Sequence, residues 1–110
     1  MNLHLVGTAR VLASWRAATD AEVAAIDWGG DDSIAVARLD DRSIVLGWIG
    51  TVCDVEATLT VEAAGLVVAP APRKGCDLVP VPRGLELTYR SPVDPGSIAL
   101  RLGEPALLPE

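Results

Sequence analysis

The sequence predicts an all-β fold, an antiparallel β-sandwich of about seven or eight short strands, on three observations. Residues 54–62 place Val55, Ala57, Leu59 and Val61 on one face and Glu56, Thr58, Thr60 and Glu62 on the other, the period-two pattern of a half-buried strand. Short β-branched runs recur along the chain with turn residues between them. The 110 residues fit one domain, 1–110, and half of them are hydrophobic. With no Phe, one Tyr and three Trp, the core must come from Val, Leu, Ile and Ala.

Residues 3–13, "LHLVGTARVLA", predict an opening strand with Gly7 as a bulge. The next segment, "SWRAATDAEVAAIDWGG", carries two signals. Thr19 with Glu22 three positions later fits a capping box, and hence a short helix near residues 20–26. Alternation of Ala24, Ile26 and Trp28 with Val23, Ala25 and Asp27 favours a strand, which is the preferred reading. Residues 33–39 and 43–49 predict a hairpin about Asp40, Asp41 and Arg42. Residues 23–50 then read as a three-stranded meander. They resemble one WD40 repeat, but Trp48 is followed by Ile49 rather than Asp, and a propeller needs several such units.

After the strand at 54–62, Ala63-Ala64-Gly65 turns the chain into a strand at 66–69. Residues 70–84, "PAPRKGCDLVPVPRG", hold four prolines and two glycines and predict loop or sheet edge. "LELTYR" (85–90) alternates again, "SPVDPG" is a turn, and "SIALRL" (97–102) closes the pattern.

Composition narrows the function. A net charge of -6 opposes binding to a phosphate backbone, and the scarcity of aromatics leaves no base-stacking platform, so no nucleic-acid partner is expected. No apolar run reaches the length of a membrane span, so the chain is not expected to be transmembrane. "MNLHLVGTARVLASW" lacks a basic start and does not read as a signal peptide. Met1 fits a cytosolic start or the replacement of a removed leader, and both stay open.

Each cysteine is followed by an aspartate, as Cys53-Asp54 and Cys76-Asp77. Extending the strand back by one residue puts Cys53 in phase with Val55, facing the core, and Asp54 with Glu56, facing solvent. Adjacent strand residues point to opposite faces, so this pair does not grip one metal ion. A zinc site wants four N or S donors, and the chain offers two Cys and one His. The doublet is not a Cys-x-x-Cys motif either. A structural disulfide between Cys53 and Cys76 is the preferred reading, with two buried thiols, or metal or redox chemistry, as alternatives. No cofactor and no metal are expected.

The remaining candidates are weaker. Any catalytic triad would have to use His4, which reads instead as a partly exposed strand residue. The aspartates of "DWGGDDS" and "LDDRS" lack calcium-loop spacing and read as solvated turns. No pair of carboxylates is singled out for glycoside chemistry. Arg73, Lys74 and Arg83 form the one basic cluster of an acidic chain. They are the candidate loop for a protein or glycan partner, against the plainer reading of a solvated loop. Trp15, Trp28 and Trp48 read as core or core-edge residues, and Trp48 shares parity with Ile44 and Leu46.

"LGWIGTVCDVEATLTV", "GLVVAPAP", "GCD" and "RGLELTYRSPVDPGSIALRL", over residues 46–102, together resemble small uncharacterised secreted or lipoprotein β modules of bacteria. "LTYRSPVDPGSIAL" is similar to a stretch of bacterial immunoglobulin-like domains. These resemblances imply an extracytoplasmic, immunoglobulin-like sandwich and no activity. The expected function is a non-enzymatic accessory or binding module, secreted or at the cell surface; the alternative location is cytoplasmic with reduced cysteines. The alternative function is a structural domain that forms a homodimer through an exposed edge strand. A small hydrolase ranks last.

Overall fold

The computed structural model describes residues 2–7, 11–28, 33–62, 65–73, 75–77 and 79–103. Its elements are β1 (Asn2–Val6), β2 (Leu12–Ala17), α1 (Asp20–Ala24), β3 (Ile34–Arg38), β4 (Ser43–Thr51), β5 (Asp54–Val61), β6 (Gly65–Pro72), β7 (Pro80–Tyr89) and β8 (Ala99–Leu102), with a 3-10 turn at Pro95–Ser97. They make two four-stranded sheets, one in the order β1-β5-β6-β8 and the other β2-β7-β4-β3. No helix of the described residues is long and apolar enough to cross a membrane.

The second sheet is antiparallel throughout. The first is mixed, because β1 runs parallel to β5 and β8 parallel to β6. The expectation of a wholly antiparallel sandwich is corrected here, and the cause is connectivity. Within each sheet odd-numbered strands run one way and even-numbered strands the other. Neighbours an even number apart in the chain must therefore be parallel, and only the first sheet brings such pairs together.

The main core lies between the sheets. Ile44, Leu46 and Trp48 of β4 and Leu85, Leu87 and Tyr89 of β7 meet Ala57, Leu59 and Val61 of β5 and Leu66 and Val68 of β6. Register explains the pattern: Ile44 lies opposite Leu87 and Leu46 opposite Leu85, so each cross-strand pair offers two apolar side chains to the same face. Burial of each such leucine or isoleucine is worth about 1.5–3 kcal/mol.

Two sequence expectations are corrected at the N-terminal end. Residues 3–13 are not one strand. Gly7 has φ 75°, and a Cβ there would lie 2.6 Å from the Val61 carbonyl oxygen, so the glycine breaks the strand where only glycine fits. The chain then leaves the first sheet for the second. The strand preferred for residues 23–28 is also overturned, in favour of the short helix near residues 20–26. The Glu22 N–H donates to Thr19 Oγ1 (3.1 Å) and the Thr19 N–H donates to Glu22 Oε1 (2.9 Å), a complete capping box that opens α1. Residues 23–50 are accordingly a helix end followed by the β3–β4 hairpin, not a meander.

The helix prevails because it has a surface to cover. Val23 and Ile26, three residues apart, are both buried against the outer face of the second sheet. Gly47 and Gly84 lie directly opposite each other on β4 and β7. A Cβ on Gly84 would come within 2.7 Å of Val23 Cγ2, and one on Gly47 within 2.7 Å of Trp28 Cη2. This glycine pair lets the helical segment rest on bare backbone. Ile26, Ala35 and Val45 form a second small core there, with Ala18, Trp28 and Ala37 packed around it.

The proline-rich segment is more strand than expected, since β6 runs to Pro72 and β7 starts at Pro80. The prolines are tolerated because of where they point. β8 covers only Gly65–Val68 of β6, and β2 covers only Leu85–Tyr89 of β7. Gly103 N donates to Val68 O and Ala18 N to Gly84 O, so by alternation Pro70, Pro72, Pro80 and Pro82 turn their nitrogens to the sides without a neighbour. No ladder hydrogen bond is lost.

Candidate functional site

The two Cys-Asp doublets come together at one end of the sandwich. Cys53 lies in the turn from β4 to β5, and Cys76 in the connection from β6 to β7. Both connections cross from one sheet to the other. The two cysteines form a disulfide, with Cα atoms 5.9 Å apart, so the bond ties two inter-sheet crossings together. Backbone hydrogen bonds from Val52 N to Val79 O (3.0 Å) and from Arg73 N to Cys53 O (2.8 Å) close the same end.

Cys53 is buried as expected, although it lies in the turn before β5, but Asp54 does not face solvent: its side chain is 1% exposed. A bulge between Asp54 and Glu56 shifts the phase of β5, and Asp54 folds back over its own turn. Its carboxylate accepts from Thr51 N (2.9 Å) and Thr51 Oγ1 (3.0 Å) and lies 3.6 Å from Arg83 Nε. Arg83 also donates from a terminal guanidinium nitrogen to Thr51 O (2.8 Å). Arg83 is opposite Trp48 on β7, on the inner face, and does not belong to the loop assigned to it from sequence. A buried carboxylate persists only when paired and hydrogen-bonded, and Thr51 and Arg83 meet both needs of Asp54, although Arg83 Nε itself makes no hydrogen bond.

The expected basic loop is therefore dispersed. Arg83 is absorbed into this network, Arg73 is exposed at the end of β6, and Lys74 lies outside the described residues. Asp31, Asp32 and the turn at Ala63-Ala64 lie outside them as well. Asp40 accepts from the N–H groups of Arg42 (2.9 Å) and Ser43 (2.8 Å), which hold its carboxyl below the usual range and shape the β3–β4 turn. His4 Nε2 lies 3.6 Å from Glu56 Oε2 on the surface. Among the described residues no three His, Cys, Asp or Glu side chains converge as metal ligands.

A different feature emerges at the flank of the sandwich. On one side β3 contacts β8 and the 3-10 turn, which closes the gap between the sheets. On the other side a cleft of about 440 Å³ opens, lined by Leu3 of β1, Trp15 of β2, Trp48, Arg83 and Leu85, and it reaches round the sheet edge to Asp20 and Val23 of α1. Trp15 lies opposite Leu87 and Ala17 opposite Leu85, so both share the parity of the inner face. Trp15 is nevertheless 47% exposed. Trp48 is 1% exposed, and its indole N–H has no hydrogen-bond partner, an arrangement that costs roughly 1–3 kcal/mol.

The backbone of β2 is half used. Ala18 N donates to Gly84 O, so Ala18, Arg16 and Ser14 turn their backbone groups toward β7. Trp15 and Ala17 turn theirs outward, since β2 is an outermost strand of the second sheet, and there the Ala17 carbonyl accepts from the Arg16 guanidinium (2.9 Å). The one charge on β2, Arg16, is held by carboxylates of its own chain: it donates to Glu22 (3.1 Å) and forms an ion pair with Glu86. The Thr19 N–H and then Arg16 lower the pKa of Glu22, and the hydrogen bond to Glu22 raises that of Arg16.

Sequence reasoning placed Trp15 at the core edge but missed this flank. The bulge between Leu12 and Ser14 hides it, because Leu12 and Trp15 face the same way although three residues apart. Comparison with family models, with curated proteins and with solved structures finds no match for this chain.

Proposed function

We propose that the protein is a non-enzymatic, extracytoplasmic binding module on an immunoglobulin-like sandwich, and that it takes an extended segment of a partner protein along β2. The single observation that carries this is Trp15, an inner-face side chain left half exposed beside an unpaired strand edge. The outward N–H and C=O of Trp15 and the outward N–H of Ala17 complement a β-strand, which favours a protein over a glycan partner. The disulfide is compatible with an oxidising compartment. Asp54, next to Cys53, and Arg83 are engaged with each other and with Thr51, which supports a structural role for that end. Two facing four-stranded sheets support the immunoglobulin-like reading, and the parallel edges of the first sheet depart from it.

The test is a phage-displayed peptide selection against the oxidised protein, followed by 15N–1H spectra of the labelled protein with each selected peptide. Binders should shift the indole signals of Trp15 and Trp48 and the amides of residues 13–17. Binders that shift only the segment around Arg73 and Cys76, or a selection with no binder tighter than about 100 µM, would sink the proposal.

A further inference from the structure

We infer that the strand received by β2 is β2 of a second copy, paired antiparallel about a two-fold axis at Trp15. The inference rests on the reading of β2 as the binding edge. Such pairing is self-complementary, because the outward groups of Trp15 can exchange both hydrogen bonds with those of its own copy. Ser14 then faces Arg16 of the second copy, and the bulge at Ala13 confines the shared ladder to the residues about Trp15. No like charges meet across the strands, and each Arg16 keeps its carboxylate partners on the outer face. The two Trp15 rings become cross-strand neighbours on the inner-face side, each covering the other's cleft, and about 100 Å² of each ring leaves water.

Other edges are less suited. The open stretches of β6 and β7 present prolines, which cannot donate. β3 and β8 lie against each other, and β8 has four residues. β1 carries the hydrated His4–Glu56 pair on its lip of the cleft. β2 has six residues and neither proline nor lysine. β2 has a paired charge of its own at Arg16 and a bulge at Leu12–Ser14, but neither lies at Trp15, where the edge carries no proline and no charged side chain.

Light scattering on a sizing column, with the oxidised protein at about 100 µM, tests the inference, since small interfaces are populated in this range. Expected is a mass twice 11.5 kDa. Ala17→Pro removes one outward N–H and leaves the β2–β7 bonds intact, so it should raise the dissociation constant at least about tenfold while the melting curve stays close to that of the parent. Trp15→Cys provides a second reading. A hydrogen-bonded antiparallel pair holds its Cα atoms about 5.5 Å apart, so mild oxidation should give an interchain bond at position 15. A parent that stays monomeric with no crosslink, or a dimer indifferent to Ala17→Pro, overturns the inference. If the parent is monomeric but selected peptides still shift Trp15, self-pairing alone falls; if neither occurs, the binding reading falls with it.

Discussion

Removing the disulfide offers the sharpest quantitative test of the fold, because its expected effect follows from one structural number. Cys53 and Cys76 are 23 positions apart, and the bond closes that loop in the unfolded chain. The chain-entropy relation gives about 3.4 kcal/mol at 25 °C for a loop of this length. At about 2.1 cal/mol/K of unfolding entropy per residue over 110 residues, the loss corresponds to a fall of roughly 15 °C in Tm. The perturbation is the double variant Cys53→Ser/Cys76→Ser, run beside the reduced parent so that the polarity of a buried serine is separated from loss of the bond. Thermal and urea unfolding followed by circular dichroism are the assays. The m-value should rise as the unfolded state expands, while the folded-state signals of Trp48 stay in place. A loss below about 1 kcal/mol in both samples would refute the reasoning, and so would altered folded-state signals around Trp48 and Arg83. Either result would mean that the bond acts through native packing rather than through chain entropy.

Two further outcomes are expected. Gly84→Val should destabilise by about 1–3 kcal/mol and speed amide exchange in α1, because a Cβ there meets Val23 Cγ2 at 2.7 Å; strand propensity alone predicts a gain, and a gain would refute the packing argument. The carboxyl of Glu22 has a lowered folded pKa, so its contribution is present above the unfolded value of about 4.3 and is lost as pH falls through the folded value. Denaturation midpoints of the parent and Glu22→Gln should therefore differ at neutral pH and converge as pH falls through the lowered folded value, and a difference that persists in acid would contradict the charge-dependent part of the capping role.

What could be read from the sequence was local. The strand at 54–62 was legible because both of its faces are specified, and the β3–β4 hairpin because Asp40 caps its own turn. The capping box at Thr19 was legible too, yet the alternation of Ala24, Ile26 and Trp28 outweighed it. What decided the matter was the Gly47–Gly84 pair, whose members are far apart in the chain. Asp54 misled because a bulge follows it, and one extra residue exchanges the two faces of a strand; a bulge before Trp15 likewise hid which face its core-edge position shares. Of the site, the cysteine pair was visible and the open flank was not, since the flank exists only once β1 and β2 are assigned to different sheets.

The mixed first sheet has a kinetic side. Its centre, β5–β6, is a local hairpin in which Val61 faces Leu66 across a short turn. Its two outer strands join in parallel from far along the chain, Leu5 beside Leu59 and Leu66 beside Leu100. Closing a loop of roughly fifty residues costs about 2 kcal/mol more than closing one of about five, so the hairpin assembles before β1 has reason to dock. The N-terminal strand then has the longest search, and as an edge strand it is expected to show the fastest amide exchange of the sheet. One lip of the cleft is thus the part of the sheet last to form and first to loosen.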